Sequence, residues 1–369
     1  MKFLRRTTST IFIMLGNSCN MNCKYCLQHP LVHEPLTKEI NPEIFDFIKE
    51  CTEENGERPV HLQFYGGEPL LYFDAIQKVV EKTKGLNCTY GIITNGKALT
   101  DEMVDFFNAH DIPVMISWDG PHVLQTRGFN SLDPRKPLRR RILRLNRLGL
   151  SSVISSKAYP REVLEAMQEV SDEYYKLHGY QIMVNLDTIF DTGLPNKELL
   201  EVDYGRVEKE MTDMAVLYLE SKLSGKQNRQ EYTKLSFMES LFYSLKNFYL
   251  DRNGVWNNVT CSCGNGYTTL NMDLSGNLYP CHNTSVKAGN IHDGLFSYLN
   301  AIWKGDPTKE HKPACLDCLA VAFCKGGCKL VSDKAREKTY CQLKRAMFVP
   351  VLSVFQRYGE KLVGDGYGG

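Results

Sequence analysis

Thirteen cysteines set the chemistry open to this 369-residue chain, and their spacing is uneven. Three fall in one short run, Cys19-Asn20-Met21-Asn22-Cys23-Lys24-Tyr25-Cys26, and eight lie late, at Cys261, Cys263, Cys281, Cys315, Cys318, Cys324, Cys328 and Cys341. Iron–sulfur clusters are normally held by four thiolates, and the first run offers three with no fourth close by. Three thiolates on a 4Fe–4S cube leave one iron without a protein ligand, open to a substrate or cofactor. The competing reading is a three-cysteine zinc site completed by His29 or His33, for which a spacing of three and then two is unusual. The remaining two thiols read as small buried hydrophobes: Cys51 shares a helix face with Ile44, Phe45 and Ile48, and Cys88 opens a strand. A further polar motif, Gly66-Gly67-Glu68-Pro69, follows the run. Its glycines let backbone approach a ligand closely, and Glu68 offers a fixed acceptor to a cationic amine. Taken alone, the motif reads more readily as a simple turn carrying a solvated glutamate.

Strands predicted at 11–16, 60–65, 88–93, 113–117, 151–155 and 180–186 alternate with helices at 42–54, 74–84, 100–109, 137–148 and 160–177. Such alternation predicts parallel strands with helical crossovers, an α/β layer or barrel. Six strand–helix units are too few for an eight-fold barrel. The cysteine run, Glu68, Asn95 and Asp119 each follow the C-terminal end of a strand, where barrel enzymes build their sites. Residues 1–195 are thus one expected domain, and 196–255 a helical bridge carrying Met211, Met214, Leu217 and Leu219, then Phe237, Leu241, Phe242 and Leu245. Residues 256–349 form the cysteine-rich domain, and 350–369 the end of a last helix and a Gly-rich tail expected to be flexible.

Composition narrows the class. With 43% apolar and 24% charged residues the chain is an ordinary globular protein, not a disordered one. A formal net charge of +1 gives no global field for nucleic acid or an anionic membrane. No apolar run approaches the ~20 residues of a membrane span, and no secretory signal is recognisable. A cytoplasmic, reducing setting is expected, in which clustered thiols bind metal rather than form disulfides.

Cys19, Cys23 and Cys26, with Tyr25 before the third, resemble the CxxxCxxC signature of radical S-adenosylmethionine (SAM) enzymes, and Gly66-Gly67-Glu68-Pro69 resembles that family's GGEP motif. The resemblance implies a partial (β/α)6 TIM-like barrel. It also implies a 4Fe–4S cluster on the three cysteines, with the amino and carboxylate groups of S-adenosylmethionine on the open iron and the amine near Gly66, Gly67 and Glu68. Tyr25 would lie near the adenine. Asn95 and Ser117 would meet the ribose or methionine moiety, though each also reads as a strand-end cap. The implied reaction passes one electron to the sulfonium, breaks a carbon–sulfur bond and yields a 5′-deoxyadenosyl radical that abstracts hydrogen; the cofactors do the difficult chemistry.

The late cysteines follow a second pattern. Cys263-x12-Gly276-x4-Cys281, then Cys315-x2-Cys318-x5-Cys324-x3-Cys328 and Cys341, is similar to the seven-cysteine SPASM extension of radical enzymes that mostly modify peptides and proteins. By that resemblance two auxiliary 4Fe–4S clusters bring the total to three. The nearer would use Cys261, Cys263, Cys281 and Cys328, and the farther Cys315, Cys318, Cys324 and Cys341. A pair of zinc ribbons is the alternative, but zinc cannot accept the electron that a substrate radical must lose.

Two departures matter. Cys261 and Cys263 are separated by Ser262 alone, so either both hold one cluster or one is spare and an iron stays open. The sulfatase-maturating branch typically has Tyr, Gln and Asp where this chain has Gln28, Tyr65 and His282, which disfavours formylglycine formation. His282, Tyr65 and Gln28 are therefore candidate catalytic residues, His282 and Tyr65 for proton transfer, with a shielding or structural role as the alternative. Only 18 residues precede Cys19, too few for a leader-recognition domain. Recognition is expected from the barrel mouth, the bridge or a separate leader-binding protein. The run Arg135, Lys136, Arg139, Arg140, Arg141, Arg144 and Arg147 has two readings, a solvated face and a dock for an acidic leader peptide.

The expected function is a radical SAM/SPASM maturase that oxidises, crosslinks or epimerises a ribosomal precursor peptide, with flavodoxin or ferredoxin as electron donor. The rivals are the same chemistry on a sugar or amino-acid derivative, and a non-catalytic iron–sulfur carrier or zinc scaffold. Iron content and turnover of Cys261→Ala test the tight pair: both should fall, and wild-type values would deny Cys261 any role.

Overall fold

The computed structural model describes residues 5, 8–28, 39–191, 193, 197–225, 228–250, 268–293, 315, 317–328 and 330–363. His29, His33, Cys261 and Cys263 lie outside the described residues. The chain divides into two compact units, the first comprising 1–117, 129–149 and 263–309, the second 118–128, 150–262 and 310–369.

The first unit is built on the strands β1 (Thr10–Met14), β2 (Val60–Tyr65), β3 (Cys88–Thr94) and β4 (Val114–Ser117), joined by the helices α1 (Glu43–Asn55), α2 (Phe73–Thr83) and α3 (Asp101–Ala109). Ile11, Ile13, Leu62, Phe64, Ile92, Val114 and Ile116 are buried on one face of the sheet, and Ile44, Ile48, Ile76, Val79, Val104 and Phe107 cover it from the helices. Cys51 sits in that core, its thiol pushed up to about 12 by burial. Cys88 is half-buried in β3 and is pushed up to about 11 by the same cause. Both are packing residues, as expected of them.

β1 pairs in parallel with β2 (Thr10↔His61), β2 with β3 (Val60↔Cys88) and β3 with β4 (Ile92↔Val114). The free side of β1 is taken by β7 (Thr269–Asp273), also parallel, in register Thr10↔Thr269. An antiparallel hairpin to β8 (Asn277–Tyr279) and a short β9 (Gly289–Asn290) extend the sheet. The order in this unit is β4-β3-β2-β1-β7-β8-β9. Asp273 organises the hairpin: its carboxylate accepts from Ser275 N, Asn277 N, Asn277 Nδ2 and Tyr279 Oη at 2.8–2.9 Å. Gly276 supplies the left-handed residue of that turn, at φ +80, where a Cβ would press on Ile291. The glycine of the cysteine pattern is thus a hairpin residue.

The helix expected at 137–148 stops early. α4 is Pro137–Ile142, and β5 begins at Leu148 and runs to Ile154. Asn108 explains the difference, since its side chain donates to Arg144 O and accepts from Asn146 N, pulling the chain out of helical geometry. Arg147 O already accepts from Val114 N of β4. The basic run is partly paired at home. Arg135 pairs with Asp133, Arg141 and Arg144 with Asp101, Arg144 also with Asp105, and Arg147 with Asp111, while Arg139 donates to Leu132 O. Four aspartates meet seven cations, so the face keeps a positive balance.

In the second unit, β5 residues 150–154 lie beside β6 (Met183–Thr188), three residues later than expected for the latter. α5 (Pro160–His178) ends on Gly179 in left-handed conformation. α6 (Tyr204–Ser224) starts on Asp203, whose carboxylate accepts from Arg206 N. α6, α7 (Tyr232–Leu250) and the last helix α8 (Cys341–Val363) pack together through Met211, Met214, Tyr218, Phe237, Met347, Val351 and Phe355. Asp119 is not a mouth residue. It is fully buried and accepts from Thr126 Oγ1, Arg127 Nε and Nη2, Ser152 Oγ and Val153 N at 2.7–3.1 Å. Removing one side of a buried ion pair leaves the other charge uncompensated, at about 3–5 kcal/mol. Asp119→Ala should lose that much stability through Arg127, read as a lowered thermal midpoint; an unchanged midpoint would show that water replaces the carboxylate.

Candidate active site

The first unit brings the cysteine run and the glycine motif into direct contact. The β1–β2 ladder continues past both strands, with Leu15 N donating to Tyr65 O, Gly67 N to Gly16 O (2.8 Å) and Glu68 N to Ser18 O (2.9 Å). A Cβ on Gly67 would overlap the carbonyl oxygens of Asn17 and Ser18, and one on Gly66 that of Gly16. The neighbour these glycines admit is therefore the chain's own backbone, carrying the segment that leads into Cys19. Tyr72 braces it from below: its ring fills the space a Gly16 side chain would take, and its hydroxyl accepts from Ser18 N at 3.0 Å.

Glu68, 1% exposed, ties three loops together. Oε1 accepts from Leu70 N at 3.0 Å and from the Thr94 hydroxyl, and Oε2 from Asn95 N at 2.8 Å. Burial lifts its carboxyl above the usual range, while the three donors pull the other way. Oε2 accepts from Asn95 N and has a second lone pair to which an amine could add.

Asn95 reaches toward the cysteines. Its Nδ2 lies 2.9 Å from Asn20 Oδ1 and 3.9 Å from Cys19 Sγ, while its Oδ1 accepts from Lys97 N. Lys97 Nζ donates to Asn20 O at 2.9 Å and lies 5.2 Å from the centroid of the Phe129 ring. Lys97 was not singled out from the sequence; only its place two residues after a strand-end Asn could have suggested it. Cys19, Cys23 and Cys26 are partly exposed thiols outside any disulfide, Cys26 N closes a turn on Cys23 O, and burial pushes the Cys19 thiol up. Tyr25 is buried at 7% exposure, and Ser117 is half-buried at the end of β4.

The three candidate catalytic residues converge although they are far apart in sequence. Gln28, 4% exposed, donates from Nε2 to His282 O at 2.9 Å. The His282 ring stacks on Phe12 at 4.3 Å and meets the Tyr65 ring edge-on at 4.5 Å. Asn271, whose Nδ2 donates to Tyr279 O, presents Oδ1 to His282 Nδ1 at 3.2 Å. Although the residue is only half-buried by surface area, its ring is enclosed by these neighbours, and burial pushes the imidazole down to about 4. Neutral near pH 7, it is a weak base, and its aromatic wall role is the better supported by this packing.

The second unit holds a thiol cage. Cys315, Cys318, Cys324 and Cys341 line a cavity of about 250 Å³ together with Arg336, Lys344 and Arg345. Cys328 is not among its lining residues. Burial pushes the Cys324 thiol up to about 11, against the pull of Lys344. Among the described residues no three His, Cys, Asp or Glu side chains converge on a single-ion position; the four thiols are spread round the cavity. Cys281 and Cys328, both half-buried, belong to separate units.

Thiols on a loop after the first strand, braced by a glycine–glutamate turn after the second, are the site of a radical SAM enzyme. The Radical SAM superfamily model matches residues 13–186, and that segment is a radical SAM domain. It is similar to the radical SAM cyclopropyl synthase TigE of Paramaledivibacter caminithermalis, at 24% identity over 86% of this chain and 67% of the relative. It is also similar to the cysteine-type anaerobic sulfatase-maturating enzyme of Clostridium perfringens, at 23% identity over 90% and 93%. Among solved structures, native anSMEcpe with bound AdoMet superposes with a TM-score of 0.65 at 19% identity, covering 97% of this chain and 98% of that one. Streptococcus suis SuiB bound to the precursor peptide SuiA gives 0.60 at 13%, covering 88% and 72%. The expected α/β partial barrel is the fold these structures share. Among the described residues no helix is long and apolar enough to cross a membrane.

Gly67→Ala should displace the 16–18 backbone and with it Cys19. Reconstituted protein should then keep its circular dichroism but lose most iron from the three-cysteine run; full iron content there would show that the loop yields without cost.

Proposed function

We propose that the chain modifies a peptide by radical chemistry, with Cys19, Cys23 and Cys26 holding the S-adenosylmethionine-binding 4Fe–4S cluster. The observation that carries the reading is the second, separate thiol cage of Cys315, Cys318, Cys324 and Cys341. A buried guanidinium lines it, Arg336 at 4% exposure, and among the described side chains no carboxylate pairs with it. An unpaired buried charge is costly, so the cavity suits an anionic occupant such as a thiolate-bound cluster. Cys261, Cys263, Cys281 and Cys328 are assigned to a third cluster. When bound, these groups supply a reductant that splits S-adenosylmethionine to a 5′-deoxyadenosyl radical and an acceptor for the electron a substrate radical must lose.

The chain's own residues bind and orient. Glu68 takes the amine of S-adenosylmethionine on the remaining acceptor position of Oε2, with Gly66 and Gly67 fixing that carboxylate's backbone. Tyr25 packs against the adenine, and Ser117 meets the ribose. Asn95 holds Cys19 and Asn20 in place as much as it contacts the cofactor. Gln28, Tyr65 and His282 form one continuous wall, which excludes water and shapes the substrate end. Since all three differ from the sulfatase-maturating pattern and touch one another, they support a product other than formylglycine. A flavodoxin or ferredoxin supplies electrons, and the barrel mouth, the helical bridge or a separate leader-binding protein recognises the substrate.

The peptide assignment draws on similar structures described with the bound peptides Cp18Cys and SuiA. Anaerobic incubation with dithionite and S-adenosylmethionine should release 5′-deoxyadenosine, and co-expression with short neighbouring reading frames should yield a peptide lighter by two hydrogens. Unchanged mass with inverted chirality would mean epimerisation. Absence of deoxyadenosine from iron-replete protein would defeat the enzymatic reading altogether.

A further inference from the structure

The thiol cage is wrapped by an unusual stretch of backbone. Lys325, Gly326 and Gly327 take three consecutive positive φ values, 49°, 81° and 83°, between Cys324 and Cys328. Facing them, Arg336–Tyr340 forms a single π-helical turn that ends directly at Cys341. Such turns are rare and frequent at functional sites. The two features fit each other: a Cβ on Gly327 would press on the Tyr340 ring and on Arg336 Nη1. Tyr340 Oη accepts from Cys328 N at 3.2 Å.

Arg336 is the centre of this packing. Nη1 donates to Gly326 O and Nη2 to Cys328 O, which fixes the guanidinium plane. Its Nε is buried and has no partner among the described residues. A buried N–H without an acceptor is costly, and native structures seldom leave one so. The residue lines the four-thiol cavity.

We propose that Arg336 is a positioning residue for the C-terminal iron–sulfur centre, its Nε–H donating to a sulfur of that centre and raising its reduction potential. Hydrogen bonds to sulfur and local positive charge are two of the levers that set cluster potentials. Lys344 and Arg345 add charge at the same wall, but Lys344 is shared with Asp187 at 3.8 Å and Arg345 is exposed. Arg336 alone is both buried and directed by two fixed bonds. The inference rests on the three-cluster reading above.

Potentiometric titration of anaerobically reconstituted holoprotein, followed by electron paramagnetic resonance, tests it. In Arg336→Gln the reduced-to-oxidised ratio of one auxiliary centre at fixed potential should fall about tenfold, equivalent to about 59 mV for one electron. Iron-replete Arg336→Gln with every midpoint unchanged would overturn the assignment. Should that variant fail to fold, protein labelled with 15N-arginine decides. In the Arg345→Gln background, which removes the other guanidinium at the cage, the reduced auxiliary centre should show a 15N hyperfine coupling, and its absence would be equally decisive. Iron content separates the two readings: about four irons per chain instead of about twelve denies the auxiliary clusters, whereas full iron without coupling denies only the role of Arg336.

Discussion

The close approach of two backbone segments, 16–18 and 66–68, governs the first site. Parallel strands place the residues after β1 and β2 side by side, but side chains would normally hold the two loops apart. Two glycines remove that obstacle, so the strand ladder runs on into both loops. Glu68 then locks the junction from within by gathering donors from its own turn and from the end of β3. The cysteine loop is thereby positioned by backbone and by one buried carboxylate. A site that must hold a cluster in fixed geometry gains from such support, because main-chain bonds lose little further entropy on loading.

That construction changes how the motif is understood. Gly66-Gly67-Glu68 reads in the sequence as a surface for a ligand, and its placement makes it an internal joint as well. The two roles do not compete. A carboxylate whose orientation is already set by three donors presents its remaining lone pair in a fixed direction, which is what preorganised recognition of an amine requires. Asn95 does similar double service, since its backbone N–H serves Glu68 and its side chain serves the Cys19–Asn20 segment.

Much of the barrel was legible in the sequence because its signals are local: apolar runs for strands, a Pro or acidic start for helices, and thiols at fixed spacing. α1, α2, α3 and α5 fall within a residue or two of expectation. What was not legible depends on partners distant in the chain. α4 ends early because Asn108, a residue of another helix, competes for Arg144 O and Asn146 N. The basic run looks wholly unpaired until the aspartates at 101, 105 and 111 are seen opposite it. Asp119 shares its position after a strand with Glu68 and Asn95, and only the buried Arg127 reveals that it is structural. The gathering of Gln28, Tyr65 and His282 was marked by departure from a pattern, not by spacing, so the sequence could name the residues without showing that they touch.

The two sites differ in the way charge is handled. Around the first lie the amides of Asn20 and Asn95, an imidazole lowered by burial, the Glu68 carboxylate and one cation, Lys97, on Asn20 O. Around the C-terminal cage, three cations and one carboxylate, Glu337, line the cavity with four thiols. Positive surroundings stabilise the more negative, reduced form of an iron–sulfur centre, whereas a largely neutral setting leaves that form less stabilised. A centre that must give an electron to a sulfonium benefits from the second condition, and one that must accept an electron from a substrate radical benefits from the first. Under the proposed three-cluster reading, the larger excess of positive charge at the C-terminal cage suits a centre that accepts an electron in a net oxidation.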